Sequence, residues 1–181
     1  MEKIISLFQR NYEGDRLVRN EVVPGAEWVI LGEGVATEKW DGTCCMVKDG
    51  LLYKRYDAKN GKQPPPGFIA AQDPDPQTGH WPGWLLVNPN NPADRWHTEA
   101  FEQLASLADG TYELVGPKIN ANMYKLSAHE LWRHGTRIIT PPRTFEELRD
   151  WFAHTNIEGI VWHHPDGRRV KIKKKDFGLK W

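Results

Sequence analysis

The chain has 181 residues, a length that predicts a single domain over residues 1–181. Its 24 basic and 24 acidic residues balance, which excludes the global basic field common among nucleic-acid-binding proteins. Two adjacent cysteines exclude a disulfide framework; with no apolar signal segment and no long apolar run, the composition predicts an intracellular, cytoplasmic protein that does not use a membrane.

The first predicted hairpin begins within the sequence TEKWDGTCCM at residues 37–46. Thr43–Val47 is predicted to be a strand and Leu51–Tyr56 its return strand, because Asp49-Gly50 between them is a strong hairpin signal. Alternation along the first strand would turn one of the two cysteines inward and the other outward. Lys39 stands just before this hairpin, so the sequence predicts a lysine at the mouth of the hairpin.

Residues 57–95 form an unusual segment, rich in proline and tryptophan, with PPP, DPDP, WPGW and NPNNP in succession. Little regular structure is expected at that density of proline. A structureless stretch of this length inside a compact domain is typically functional or disordered. Because the segment is also rich in aromatic residues, we predict an ordered insertion or lid.

Two helices are predicted in the second half of the chain. Thr98–Ala108 and Thr144–His154 both show the apolar spacing of an amphipathic helix, and Thr144 with Glu147 matches a capping box. The apolar faces are Phe101, Leu104, Ala105 and Ala108 in the first helix and Phe145, Leu148, Trp151 and Phe152 in the second.

Further strands are predicted at Thr111–Val115 and Ser127–Arg133, and Ile157–Trp162 with Arg169–Lys173 should form a hairpin around the sequence HHPDG. Antiparallel hairpins with a few helices packed on them predict an α+β fold. His163 and His164 lie in the second turn without another pair at metal-ligand spacing, so no zinc site is expected there.

Lys39 is the candidate nucleophile. A lysine attacks only as the neutral amine, and burial or neighbouring positive charge lowers its pKa. The candidates for such neighbours are Lys54, Arg55, Lys171 and Lys173. A match to K-x-D-G alone is frequent by chance, so a surface lysine beside a turn is the alternative interpretation.

The later strands carry residues that could surround a nucleotide. Lys171 and Lys173 share one face of their strand, where two lysines can hold a triphosphate. Glu158 could hold a divalent cation, because Mg²⁺ prefers oxygen ligands. Glu113 could accept a hydrogen bond from a ribose hydroxyl. Six of the eight residues from 168 to 175 are Lys or Arg, which indicates either a phosphate contact or a solvated basic tail.

Taken in order, these segments resemble the motif series of the covalent nucleotidyltransferases. EKWDG is similar to motif I, YELVG to motif III, EGIVW to motif IV and VKIKKK to motif V. Within that superfamily the chain resembles, over most of its length, the small ATP-dependent 5′-to-3′ RNA ligases related to vertebrate RNA ligase 1. The segments KRYDAKNGKQPPPGF, DPDPQTGHWPGW, ELVGPKIN and HELWRHG carry this resemblance and are more specific than K-x-D-G.

The resemblance implies an antiparallel-sheet nucleotidyltransferase domain of the ATP-grasp-like ligase adenylation type, without an OB domain. It also implies three steps. Lys39 takes AMP from ATP, the AMP passes to an RNA 5′-phosphate, and an RNA 3′-hydroxyl then displaces it. The implied cofactors are ATP and Mg²⁺ or Mn²⁺, the implied partner is RNA with 5′-phosphate and 3′-hydroxyl ends, and a monomer is expected.

The resemblance also assigns roles to single residues. Lys171 and Lys173 would neutralise the α-phosphate, Glu158 would place the metal and Glu113 would bind the ribose. The remaining assignments are Thr37 and Glu38 at the adenine edge, Arg55 and Lys54 on the nucleotide or RNA phosphate, Lys174 and Lys175 on RNA, and His129, with Trp132 as the alternative, stacked on the purine.

Two other functions remain open at this point. A DNA ligase or a capping guanylyltransferase shares the motifs, but both normally carry an OB domain after motif V, whereas only a few residues follow Lys175 here. A non-catalytic module that binds RNA or nucleotide is the other alternative. The presence of Lys39, Glu113, Glu158, Lys171 and Lys173 favours an enzyme.

Overall fold

The computed structural model describes residues 2–59, 61–104 and 106–181. The described residues form twelve strands and three α-helices, so the predicted α+β class is confirmed. Within this described part, none of the helices combines the length and apolar character that crossing a bilayer requires. The strands are β1 (Ile5–Ser6), β2 (Phe8–Arg10), β3 (Val18–Val22), β4 (Val35–Lys39), β5 (Thr43–Lys48), β6 (Leu51–Ala58), β7 (Ile69–Ala70), β8 (Trp81–Leu86), β9 (Gly110–Val115), β10 (Glu130–Arg133), β11 (Gly159–His163) and β12 (Arg169–Lys173), and the helices are α1 (Glu27–Ile30), α2 (Arg95–Glu102) and α3 (Phe145–His154), with 3-10 turns at Pro92–Asp94 and Lys174–Phe177.

Residue contacts divide the described chain into two compact units. The central unit contains residues 2–3 and Asp41–His134, and the terminal unit contains Ile4–Trp40 and Gly135–Trp181. The prediction of one domain over residues 1–181 stays a prediction. Each unit has its own sheet and its own buried apolar cluster.

The terminal unit is built on a four-stranded sheet in the order β1-β12-β11-β4. β1 runs parallel to β12, and the other neighbours are antiparallel. The predicted hairpin of Ile157–Trp162 and Arg169–Lys173 is confirmed as β11 and β12, with β11 beginning at Gly159. The apolar residues of its inner face are completely buried: Ile160, Trp162, Val170 and Ile172. Alternation then turns Lys171 and Lys173 to the other face, as predicted.

Helix α3 covers the core of the terminal unit. Leu148 and Phe152 are fully buried, while Phe145 and Trp151 are partly buried against the same cluster, so the predicted apolar face is confirmed. The predicted capping box has a different form. The hydroxyl of Thr144 donates to the carboxylate of Glu147 at 2.6 Å, so the two side chains bond each other instead of the backbone N–H groups at the start of the helix.

The central unit contains a six-stranded antiparallel sheet in the order β10-β9-β5-β6-β8-β7. The hairpin predicted around Asp49-Gly50 is confirmed as β5 and β6, and Asp49 adopts φ 53° in the turn. Cys45 is fully buried and Cys44 partly exposed, as the alternation predicts. The core of this unit consists of Cys45, Val47, Leu52, Ala100, Tyr112, Leu114 and Leu131.

The proline-rich segment at residues 57–95 is more regular than predicted. It contains β8, which pairs along its whole length with β6 and carries the buried side chain of Trp84. Gly83 lies in the middle of this strand. Only glycine fits at this position, because a Cβ atom would stand 2.2 Å from the ring of Phe68. The motif WPGW therefore belongs to a strand, and its proline and glycine were wrongly interpreted as loop residues.

Two further boundaries differ from the prediction. The helix expected at Thr98–Ala108 is α2, which begins and ends earlier along the chain, and its expected face residue Leu104 is 41% exposed. Ala105 lies outside the described residues. The strand expected at Ser127–Arg133 is confirmed only from Glu130. The strand expected at Thr111–Val115 is confirmed as β9.

Candidate functional site

Lys39 is the last residue of β4 in the terminal unit, and its side chain is 26% exposed. Its Nζ lies 2.7 Å from Oε2 of Glu158, a carboxylate whose side chain is only 7% exposed. The same Nζ donates to the carbonyl oxygen of Trp40 at 3.2 Å. The predicted nucleophile and the predicted metal ligand are therefore direct partners.

Strand register explains why several lysines meet in this place. Gly159 on β11 lies opposite Lys39 on β4 and opposite Lys173 on β12, so the two lysines occupy one row of the sheet on either side of a glycine. A Cβ atom at Gly159 would stand 2.5 Å from the carbonyl oxygen of Ile172 and 3.2 Å from Cα of Lys173. The absence of a side chain at this position therefore lets β12 approach closely.

The lysines of β12 lie in an environment that disfavours their positive charge. Burial lowers the pKa of Lys171 to about 8, and repulsion from Lys39 and Lys173 adds to this effect. Burial also lowers the pKa of Lys173, although the carboxylate of Asp176 opposes the shift. An anion bound here would relieve that repulsion, so the cluster is suited to a phosphate group.

Asp176 compensates only part of this charge. Its Oδ1 lies 2.5 Å from the guanidinium of Arg10, and its Oδ2 accepts the backbone N–H of Lys173 at 2.9 Å. One of its oxygens is thus committed to an arginine and the other to the backbone. Lys39, Lys171 and Lys173 together carry more positive charge than Glu158 alone can neutralise.

Thr37 and Glu38 precede Lys39 on β4 and point to different sides. Thr37 shares the face of Lys39, and its hydroxyl lies 2.9 Å from Nε2 of His163. Glu38 turns to the opposite face, where its carboxylate lies 3.0 Å from Nε of Arg137. Burial raises the pKa of Glu38, and the charge of Arg137 opposes that effect. Only the threonine of this pair therefore shares a surface with the lysine cluster.

Glu113 lies on β9 in the central unit and is held at both carboxylate oxygens. Oε1 accepts the backbone N–H of Gly42 at 3.0 Å, and Oε2 lies 2.7 Å from Nε2 of His134. Gly42, the glycine of the motif D-G, packs closely against β9. An added Cβ atom there would stand 2.2 Å from the carbonyl oxygen of Leu114. The glutamate is thus fixed on one side by Gly42, which follows Lys39 closely in sequence, and on the other by the distant His134.

His129 is engaged in the packing of the central unit. Its ring is 3% exposed, lies stacked on Trp96 with centroids 4.5 Å apart, and places Nδ1 2.9 Å from Glu99. The backbone N–H of Lys118 donates to its other ring nitrogen at 3.4 Å. A purine would have to displace these neighbours, so stacking on His129 stays a prediction that this arrangement does not favour.

Lys54 and Arg55 also have partners within the central unit. Lys54 is paired with the buried carboxylate of Asp94. Arg55 lies 2.9 Å from Asp57 and 5.2 Å above the ring of Trp84. Removing Lys54 would leave Asp94 buried without its cationic partner, so a mutation there tests stability together with any role in binding.

The basic strip at residues 168–175 is divided by its contacts. Lys174 donates through Nζ to the carbonyl oxygen of Thr155 at 2.7 Å, whereas Lys175 is exposed. Arg168 lies 2.7 Å from the carboxylate of Asp166. Lys175 is therefore the residue of the strip that best suits a test of RNA contact.

The structure thus brings Lys39, Glu158, Lys171 and Lys173 together within the terminal unit. His163 was wrongly placed in the turn: it is the last residue of β11 and lies beside Thr37. Sequence reasoning missed His134 beside Glu113, because the contact joins the turn after β10 to strand β9 and spacing along the chain does not reveal it.

Comparison with known proteins gives one consistent family. A sequence model of the family described as RNA ligase 1 matches residues 100–181, a range that contains Glu113, Glu158, Lys171 and Lys173. RNA ligase 1 of Danio rerio is 30% identical over 221 residues, covering 81% of this chain and 68% of the relative. RNA ligase 1 of Pongo abelii is 31% identical over 222 residues with the same coverage of each chain.

A further relative agrees with these two. RNA ligase 1 of Rattus norvegicus is 28% identical over 221 residues, again covering 81% of this chain. The aligned stretch is longer than the 181 residues of this chain. The relatives therefore contain segments, within the shared region, that this chain lacks.

Proposed function

This chain belongs to the RNA ligase 1 family, and from that premise we propose that it is an ATP-dependent RNA ligase joining 3′-hydroxyl and 5′-phosphate ends. The observation that supports this proposal most is the cluster of Lys39, Lys171 and Lys173 around Glu158 on one sheet. A ligase that works through a lysyl-AMP intermediate needs a nucleophilic lysine with fixed cations beside it.

In the first step, Nζ of Lys39 attacks the α-phosphorus of ATP. A P–N bond forms, the bond to the bridging oxygen of the β-phosphate breaks, and pyrophosphate leaves. The amine must first give its proton to solvent, and its ion pair with Glu158 at 2.7 Å must open. The charges of Lys171 and Lys173 favour the loss of that proton, because neighbouring ammonium groups repel one another.

The same two lysines would stabilise charge on the phosphates. Negative charge develops on the phosphoryl oxygens during transfer, and ammonium groups already in position stabilise it without reorganisation. Glu158 fits the role of ligand for Mg²⁺ or Mn²⁺, since these ions are commonly held by one or two carboxylates together with substrate phosphates. Such an ion would supply further positive charge at the triphosphate.

In the later steps, AMP passes from Lys39 to the 5′-phosphate of RNA, and the 3′-hydroxyl attacks that phosphate and releases AMP. We assign Glu113 to the ribose, Thr37 and Glu38 to the adenine edge, and Arg55 to a phosphate. His129 is retained as the candidate for purine stacking, and Lys54, Lys174 and Lys175 as candidates for contact with RNA.

The proposed first step predicts a covalent adduct. After incubation with ATP and Mg²⁺, intact-protein mass spectrometry should show a mass increase of one AMP, which GTP should not produce. Lys39→Ala should abolish the adduct. Lys48→Ala is the matched control, because Lys48 is an exposed lysine at the end of β5 and should leave the adduct unchanged. Absence of any adduct in the wild type with either Mg²⁺ or Mn²⁺ would overturn the proposal.

The nature of the acceptor is tested separately. The protein should seal a 5′-phosphorylated single-stranded RNA more efficiently than nicked DNA. An adduct accompanied by sealing of nicked DNA alone would indicate a DNA ligase. An adduct formed from GTP instead of ATP would favour a capping-type enzyme, and binding of RNA or ATP without any adduct would favour a non-catalytic module.

A further inference from the structure

Three side chains of different chemistry converge on one face of the central sheet. Sγ of Cys44, a carboxylate oxygen of Glu113 and a ring nitrogen of His134 all lie within 4.8 Å of one another. Cys45, the next residue along β5, is fully buried in the apolar core. Cys44 therefore points to the face opposite the core, where Glu113 is buried and the other two residues are partly exposed.

The strand ladder itself produces this convergence. Cys44 on β5 lies directly opposite Glu113 on β9, and Trp132 on β10 lies opposite Glu113 on the other side. His134 follows Trp132 by two residues, so alternation gives it the same face. Its backbone N–H donates to the carbonyl oxygen of Thr111 at 3.0 Å, which extends the ladder and fixes its position.

The carboxylate and the imidazole are already oriented. Oε2 of Glu113 lies 2.7 Å from Nε2 of His134, and Oε1 accepts the N–H of Gly42 at 3.0 Å. Ligands at about 2.0–2.3 Å around a tetrahedral ion lie roughly 3.3–3.8 Å from one another. The three donor atoms lie at most 4.8 Å apart, and the 2.7 Å contact between Glu113 and His134 would have to lengthen to reach that spacing.

We propose that Cys44, Glu113 and His134 bind a thiophilic divalent cation, with Zn²⁺ as the best match, and that water takes the fourth position. Thiolate, imidazole and carboxylate together suit zinc, whereas Mg²⁺ requires oxygen ligands. Binding replaces the proton of the Cys44 thiol with a sulfur–metal bond, and the proton passes to solvent. This site differs in chemistry from a Mg²⁺ site at Glu158 and goes beyond the proposed ligase function. It uses the carboxylate that the ligase proposal assigns to the ribose, so the cation and the ribose would compete for Glu113.

Cobalt provides a test that does not depend on enzymatic activity. The metal-stripped full-length chain is titrated with Co²⁺ in the presence of a phosphine reductant, and absorbance is recorded. One equivalent should produce a thiolate-to-cobalt charge-transfer band and the intense visible bands of four-coordinate cobalt. Zn²⁺ should then displace the cobalt, and competition with a chromophoric chelator gives the affinity for zinc.

Two variants test the sulfur and nitrogen ligands, and a third is their control. Cys44→Ser should lose the charge-transfer band, and His134→Gln should keep that band but weaken zinc affinity by about tenfold or more. Cys45→Ala is the matched control and should keep both the band and the affinity, because its thiol is buried on the other face. Circular dichroism of each variant verifies the fold.

The outcomes are decisive in either direction. Loss of the band in Cys44→Ser together with its retention in Cys45→Ala supports the site. A wild-type protein that gives no charge-transfer band overturns it, and so does a band that survives in Cys44→Ser. Equal zinc affinity in the wild type and in a folded His134→Gln variant removes the histidine from the site and overturns the proposed ligand set.

Discussion

At the scale of single residues, the proposed contact of Lys171 with a nucleotide would make binding depend on pH. Burial and two neighbouring lysines lower its pKa to about 8, so it loses its charge at a pH where most lysines keep theirs. A bound phosphate favours the ammonium form. If nucleotide binds at Lys171 as proposed, binding above that pH would be accompanied by uptake of a proton.

We expect the affinity for a non-hydrolysable ATP analogue to weaken as pH rises above 8, by up to about tenfold per pH unit. Isothermal titration calorimetry between neutral pH and the pKa of free lysine measures this dependence. Lys171→Arg should flatten it, because a guanidinium keeps its charge throughout that range. Part of the slope should remain in this variant, since burial also lowers the pKa of Lys173. Identical slopes in the wild type and the variant would contradict the assignment.

Other residue-level features differ in how far the sequence could predict them. The shared face of Lys171 and Lys173 follows from alternation along one strand and was predicted correctly. The ion pair of Lys39 with Glu158 depends on the register between β4 and β11, which spacing along the chain does not reveal. The stacking of His129 on Trp96 joins the residue just before β10 to helix α2, whose position was itself predicted imperfectly.

At the scale of elements, the close approach of β11 and β12 depends on Gly159. A Cβ atom there would stand 2.5 Å from a backbone carbonyl, which cannot move aside as a flexible side chain can. Gly159→Ala should therefore lower the free energy of unfolding by about 1–3 kcal/mol, as overpacking does elsewhere. Urea denaturation at unchanged m-value measures this loss.

Gly14→Ala is the control for this prediction. An added Cβ atom at Gly14 would also meet an atom at 2.5 Å, but that atom is the side-chain nitrogen of Asn11, which can rotate away. The control should shift the urea midpoint much less. Gly159→Ala should in addition reduce formation of the lysyl-AMP adduct. Gly159 lies between Lys39 and Lys173 across the sheet, so a displaced strand would change the distance between these lysines. Equal destabilisation by the two substitutions would argue against the backbone contact.

Hairpins were predicted better than the elements formed by distant pairing. The turn at Asp49-Gly50 and the pair β11–β12 were predicted because their signals lie within one continuous stretch of sequence. Strand β8 was missed because its Pro82 and Gly83 are typical loop residues. Its partner β6 ends at Ala58, far from the start of β8 at Trp81, so pairing between distant segments overrides the local preference.

At the scale of the whole molecule, a formal net charge of zero conceals an uneven distribution of charge. Six of the eight residues from 168 to 175 are basic, yet Lys174 and Arg168 already have partners within the protein. Lys175 is exposed. Contact with RNA through this strip should therefore be most sensitive to Lys175.

We expect Lys175→Glu to raise the RNA concentration needed for half-maximal sealing while leaving the formation of the lysyl-AMP adduct nearly unchanged. The negative slope of log affinity for single-stranded RNA against log salt should become shallower by about 0.7 for each RNA phosphate that the variant no longer neutralises. Lys48→Glu is the charge-matched control, since Lys48 is exposed on a strand of the central unit. An unchanged salt dependence in Lys175→Glu would show that the strip does not bind RNA.

The pairing of Lys39 with Glu158 also affects how the protein would respond to amine-reactive reagents. A side chain that lies 2.7 Å from a carboxylate and donates to a backbone carbonyl is less available to an acylating or alkylating compound than an exposed lysine. In the resting protein, Lys39 should therefore be among the slower lysines to be labelled, although it is the proposed nucleophile. Surveys that look for enzymes through unusually reactive lysines would overlook this one, and stray electrophiles would seldom inactivate it before ATP arrives.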